Sequence, residues 1–294
     1  MTVEATIHPV THDLGAFQVR RALPSPGRVM VGPFIFVDQF GPAHLPPGHA
    51  MDVRPHPHIG LATVTWLFEG AIDHRDSIGS FATIRPGQVN LMTAGKGIVH
   101  SERSPLTERA DGPLLYGMQT WLALPDGQEE IAPAFESRAD LPLIEDNCTS
   151  ARVIMGSLWG QSAPTTQHAA TIYAEILLAP GGAIPIDAEA DERAVMLVGG
   201  EAEINGLPLE LYGLSVLAPG APMQLTSASG GRVMLLGGEA FATPRHVWWN
   251  FVSSSRERID QAKADWRSGA FGTVPGDREE FIPIPDVPLT NSDS

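Results

Sequence analysis

Apolar and polar positions alternate only over short distances in this chain, and glycine or proline breaks each run. Apolar stretches rich in Val, Ile, Thr, Phe and Trp occupy 33–38, 59–68 and 114–124. Glu69-Gly70 and Pro125-Asp126-Gly127 end the second and third of them. Runs of this length and composition predict β-strands. Arg85-Pro86-Gly87-Gln88 predicts a tight turn, because Pro presets φ and Gly accepts φ > 0. Gly95 and Gly97 flank Lys96 just ahead of Ile98-Val99-His100. Strand, turn, strand, turn, strand over 54–103 predicts a meander.

The same rhythm resumes after a polar stretch at 129–140. Strands are predicted at 171–179, 194–198 and 233–236, with Pro180-Gly181-Gly182, Gly199-Gly200 and Pro219-Gly220 between them. The repetition predicts an all-β chain made of two tandem barrels, residues 1–136 and 137–294. A short helix follows the second barrel. Ser254 and Glu257 have capping-box spacing, Ile259, Ala262 and Trp266 fall on one helical face, and Gly269 suits the C-terminal cap. The Pro-punctuated tail after it is expected to be extended.

Composition narrows the classes. The 294 residues are 43% hydrophobic, enough for real cores, and the 30 Gly and 26 Pro stand singly, as turns between many short strands require. The net charge is −15, and the 19 Lys and Arg form no stripe, which argues against direct nucleic-acid binding. The single cysteine, Cys148, cannot form an internal disulfide and reads as a small buried apolar residue. The N-terminus lacks a signal-peptide layout and no run is long enough to span a bilayer, so the expected compartment is the cytoplasm with no membrane partner.

The candidate chemistry sits at the two ends of the meander. His56 and His58 are spaced i, i+2, and so are His100 and Glu102. On strands each pair sends both side chains to one face. If the strands face one another, three imidazoles and a carboxylate converge, a mixed N/O metal site. His44 and His49 lie in a Pro- and Gly-rich loop and read as solvent-facing. His74 reads as a structural hydrogen-bonding residue. Gln119 and Trp121 share one face of their strand; they either line the interior and meet a bound aromatic substrate or simply pack.

The chain resembles the pirin family of the cupin superfamily. The resemblance is carried by His56-Pro57-His58, Thr63-Val64-Thr65, Glu69-Gly70, His74, Asp76-Ser77, Gly79, Pro86-Gly87, Met92-Thr93-Ala94-Gly95, Gly97-Ile98 and His100-Ser101-Glu102, and extends over about residues 17–288. Other cupins place a Glu shortly after HxH; here 59–63 has none, and Glu102 supplies the carboxylate as in pirins. The second half has no His at 180–187, and RVMLLGG stands where the first half has His-Ser-Glu. The second barrel is therefore expected to hold no metal through this set.

The resemblance implies a bicupin with one divalent metal, Fe(II) first, with Mn, Co, Ni, Cu or Zn as alternatives. It also implies quercetin 2,3-dioxygenase-like activity on a flavonol and O2. His56, His58, His100 and Glu102 would be ligands, and Glu102 also the catalytic base. Two other roles stand beside this: an iron-dependent redox-sensing or transcriptional co-regulating module with a protein partner, and a purely structural metal.

Overall fold

A computed structural model describes residues 2–13 and 17–286. Strand dominates them, and Arg256–Ser268 is the one helix longer than a single turn among the described residues. No helix among them is long and apolar enough to cross a membrane. The chain forms two compact units. The first holds residues 11–13, 17–19, 37–139 and 242–286; the second holds 2–10, 20–36 and 140–241.

A seven-stranded sheet, most of whose residues belong to the first unit, runs in the order Ala134–Arg138, Val89–Thr93, Leu61–Gly70, Leu114–Ala123, Phe34–His44, Gln18–Leu23, Val10–Asp13. A four-stranded sheet runs Asp52–His58, Ile98–Arg103, Ile72–Asp76, Phe81–Ile84. Phe40, Leu67 and Leu115 of the large sheet and Ile72 and Ile84 of the small one share a buried cluster, so the two sheets face each other.

The second unit repeats this order strand for strand. Its large sheet runs Val3–Ile7, Leu214–Leu217, Glu192–Gly200, Gly231–Gly238, Thr171–Leu178, Thr149–Met155, Leu143–Asp146. Its small sheet runs Ala183–Ile186, Met223–Thr226, Glu203–Ile204, Leu207–Pro208. The duplication expected from the rhythm of strands and turns is thus present in the topology.

The units are not two successive halves of the chain. Val3–Ile7 pairs with Leu214–Leu217 and fills, in the second unit, the edge that Ala134–Arg138 fills in the first. The C-terminal helix and tail belong to the first unit, not to the second barrel. Their apolar side chains explain this: Trp249, Phe251, Ile259 and Ala262 form one buried cluster with Ile59, the residue after His58.

The repeat also corrects the equivalence drawn for RVMLLGG. That segment lies on Gly231–Gly238, inside the large sheet, and corresponds to Leu114–Ala123. The counterpart of the His-Ser-Glu strand is Met223–Thr226. In the first unit Ile98 pairs with His58 and His100 with His56. In the second Met223 pairs with Ile186 and Leu225 with Ile184. The register therefore puts Ile184, Ile186 and Leu225 at the positions of His56, His58 and His100, and all three are buried in an apolar core.

The helix starts one residue later than expected. Ser255, not Ser254, is the N-cap: its Oγ accepts from Arg258 N at 3.2 Å and donates to Glu257 at 2.8 Å. Ser254 N instead donates to the Glu129 carboxylate at 3.0 Å. Gly269, at φ 76°, caps the other end in the left-handed region. Buried Arg245 fixes the approach to this segment, donating to Leu124 O at 2.9 Å and Asp126 at 2.7 Å and pairing with Glu129 at 3.1 Å. Arg103 fixes the tail through Asp277 at 2.7 Å and Glu280 at 2.9 Å. Cys148, expected to be buried, is half-exposed in the turn that precedes Thr149–Met155.

Gly60 marks a close approach of the C-terminal segment to the barrel. Its φ is +68°, and a Cβ there would collide with the Val252 carbonyl. Gly60→Ala is expected to destabilise the fold by at least about 1–3 kcal/mol through left-handed strain alone, with the collision added. A shift of the urea midpoint at unchanged slope would report it; no shift would mean that the backbone at Gly60 is not left-handed.

Candidate metal centre

The site is built on two strands of the small sheet and floored by the large one. Antiparallel register places His56 opposite His100, and His100 opposite Asp76 on its other side. The neighbouring row places Glu102 opposite His74. Side chains opposite one another in register share a face, so these groups all point the same way. The expected convergence of the three imidazoles is seen. His56, His58 and His100 each offer a ring nitrogen, and these nitrogens lie within 4.8 Å of one another. All three residues are buried, with His58 at 0% exposure.

Glu102 is not one of that tight set. The pairing slips between His100 and Glu102, a bulge-like irregularity that re-aims a side chain. Its carboxylate lies 3.5 Å from Thr65 Oγ1 and accepts a hydrogen bond from Gln119. Thr65 Oγ1 in turn donates to Gln119 Oε1 at 2.7 Å.

The floor consists of two cross-strand rows. Asn90, Thr65 and Gln119 form one, facing Glu102; Met92, Thr63 and Trp121 form the other, under His58. The Trp121 and His58 rings meet edge to face, with centroids 5.1 Å apart. Gln119 and Trp121 are therefore both interior residues beside the cluster. Asn90, Thr63 and Thr65 were not singled out from the sequence as lining residues. The available signal was Thr63-Val64-Thr65, two polar side chains at i, i+2 inside an apolar strand. Asn90 is buried, and both atoms of its side-chain amide lack a hydrogen-bond partner.

The outer ring nitrogens are held in three different ways. His56 Nδ1 donates to Arg54 O at 2.8 Å, which leaves Nε2 with a free lone pair. His58 Nδ1 makes no hydrogen bond of ordinary geometry, although the Asn250 backbone approaches it favourably. His100 Nδ1 faces His74 Nδ1 at 3.4 Å, and His74 Nε2 donates to Asp76 at 3.2 Å. The His74 ring is stacked on Phe135, at 4.4 Å and 12°.

The electrostatics favour a neutral, ligand-ready set. Burial pushes His56 down to about 4 from its ordinary 6.5, assisted by the neighbouring His74 and opposed by the Arg54 carbonyl. Burial and the neighbouring His56 push His58 well below 6.5, and burial with the other three imidazoles does the same to His100. Burial raises Glu102, outweighing the lowering effect of His74, Thr65 and Gln119. Burial also works against ionised Asp76, yet the hydrogen bonds from His74 and Ser80 hold it below the ordinary carboxylate value.

These residues fit a metal ion. His58 Nε2 and His100 Nε2 stand 3.0 Å apart. Two nitrogens each about 2.1 Å from one ion and at right angles are separated by about 3 Å. Metals require neutral imidazoles, and the three here are held neutral across the physiological range.

Comparison with known proteins agrees with this architecture. The sequence matches Pirin over residues 16–122 and the Pirin C-terminal cupin domain over residues 173–272. A pirin-like protein of Caulobacter vibrioides is 47% identical over 279 residues, covering 93% of this chain and 96% of its own. A crystal structure of quercetin 2,3-dioxygenase from Acinetobacter baumannii is 34% identical with a TM-score of 0.89, covering 97% of this chain and 95% of that one. The Escherichia coli pirin YhhW, solved in complex with nickel(II), shares the fold at 18% identity and a TM-score of 0.63, covering 79% of this chain and 96% of its own. With both of its cupin domains matched and a relative this similar along nearly its whole length, the chain belongs to the pirin family.

Proposed function

We propose that this protein is a metal-dependent dioxygenase that opens the flavonol ring of quercetin-like substrates with O2. The observation that carries the reading is the convergence of three buried, neutral imidazoles beside a buried carboxylate. Likeness to a solved quercetin 2,3-dioxygenase supports it.

His56, His58 and His100 would hold the ion, with Glu102 as fourth ligand after rotating from Thr65, and Fe(II) as first choice. When bound, a divalent metal supplies Lewis acidity that favours the ionised substrate hydroxyl, and iron adds one-electron chemistry toward O2. The chain's own contribution centres on Glu102. Desolvation makes its carboxylate a stronger base than an exposed one, suited to taking the proton of the flavonol 3-hydroxyl. Gln119 and Thr65 hold that carboxylate inside the cavity before it turns to the ion, while Trp121 offers an aromatic surface. Loss of the proton raises the electron density of the flavonol ring, which then reacts with O2 to give a depside and carbon monoxide.

An aerobic-against-anaerobic assay with quercetin tests this, scored by loss of flavonol absorbance and by carbon monoxide release. Activity is expected only with O2. Glu102→Gln, which keeps an oxygen donor but removes the base, is expected to lower kcat on the order of 10²–10⁴-fold. Protein loaded in turn with each candidate metal and inert in every case would end the enzyme assignment for this substrate.

A second reading is compatible with the same buried ligand set: an iron-dependent redox sensor with a protein partner. In that case partner affinity, measured on the same preparation, would change between Fe(II) and Fe(III) while quercetin remains intact.

A further inference from the structure

The His74–Asp76 pair is not needed to complete the ligand set, yet it is built with care. Asp76 is 0% exposed, and its Oδ1 accepts from Ile78 N at 3.1 Å and Ser80 N at 2.8 Å. Its Oδ2 is left for His74 Nε2 at 3.2 Å. An ionised carboxylate only accepts, so the His74 proton lies on Nε2 and His74 Nδ1 carries a lone pair. That lone pair faces His100 Nδ1 at 3.4 Å. His100 Nε2 points at His58 Nε2, where the ion would sit, so the proton of His100 lies on Nδ1. Every donor in the chain from His100 to His74 to Asp76 thus has one acceptor, and the polarity runs one way. Stacking on Phe135 holds the middle ring in plane.

We infer that Asp76 and His74 form a two-step positioning relay that fixes the orientation and proton of His100 and strengthens its electron donation toward the bound metal. The ligands are then unequal. His56 is tied to a neutral backbone carbonyl and His58 to no well-formed acceptor, whereas His100 reaches an anchored carboxylate through a second imidazole. Outer hydrogen-bonding partners of a metal-ligating His typically govern affinity by about 10–100-fold. This inference rests on the metal-binding part of the function proposed above, but not on the substrate.

The test uses Co(II) with the full chain, measuring affinity by chelator competition and geometry by the visible absorption of the bound ion. His74→Phe keeps a ring against Phe135 and removes both nitrogens. It is expected to weaken Co(II) about 10–100-fold and to move the absorption bands. His74→Gln, whose carbonyl can accept from His100, is expected to recover most of the loss. In the iron form, His74→Phe is expected to raise the reduction potential, because weaker donation favours Fe(II). Both variants binding Co(II) as the wild type does, with unchanged bands, would overturn the relay alone. The relay is equally overturned if His74→Phe lowers only the melting temperature of the metal-free protein. A wild-type chain that takes up no Co(II) would overturn the metal site as well. Should His74→Phe not fold, the Gln variant and Asp76→Asn decide by the same readouts.

Discussion

His58→Ala is expected to weaken metal binding on the order of 10²–10³-fold and to abolish turnover. Apparent binding energies of about 10–16 kcal/mol for a four-donor site leave about 2.5–4 kcal/mol per donor, or roughly two to three orders of magnitude. His58 is the severest choice of the three. It is completely buried, its Nε2 is 3.0 Å from that of His100, and the Trp121 ring meets it edge to face. Removing it leaves a cavity beside the other two imidazoles. Metal content per chain after purification without a polyhistidine tag measures the effect. An undiminished metal-to-protein ratio would take His58 out of the ligand set. His58→Ile, which installs the residue found at the same register as Ile186, is expected to lose metal equally while retaining the fold.

The second large effect is acid sensitivity of the metal-free protein. A histidine whose folded value lies below its unfolded value binds fewer protons folded than unfolded between the two. Stability therefore falls as pH drops through that window. For His56 the window runs from its ordinary 6.5 down to about 4, and it removes about 3 kcal/mol. His58 and His100 act in the same direction. Glu102 acts oppositely: with its folded value raised, its contribution is present below its ordinary 4.5 and is lost as pH rises through the folded value. The imidazoles outnumber it, so the urea midpoint of chelator-treated protein is expected to fall steadily from pH 6.5 to 4. The triple variant His56→Ile, His58→Ile, His100→Leu, which copies the second unit's core, is expected to lack that slope. A wild-type midpoint that stays level across this range would contradict the burial-driven shifts.

Much of this was legible in the sequence because strand geometry converts spacing into direction. The i, i+2 pairs His56/His58 and His100/Glu102 announced one face, and the turns at 85–88 and 95–97 announced the fold-back; the three imidazoles meet as that reasoning requires. The aim of Glu102 was not legible, because it depends on a register slip that no local pattern records. Nor was the alignment of the two halves. RVMLLGG looked equivalent to His-Ser-Glu by order of appearance, whereas pairing partners identify Met223–Thr226. The destination of the C-terminal helix was hidden for a related reason. Its apolar stripe was visible, but the surface that stripe covers, around Ile59, is fixed only by tertiary packing.

The exchange of segments between the two halves has a practical corollary for anyone wishing to work with either half alone. A cut near residue 139 leaves the N-terminal fragment without the residues that shield Ile59, and leaves the C-terminal fragment without Val3–Ile7. Leu214–Leu217 would then present a bare row of amides and carbonyls, the kind of border along which strands from separate molecules zip together. Clean dissection would have to return residues 2–10 and 20–36 to the second piece and residues 242–286 to the first.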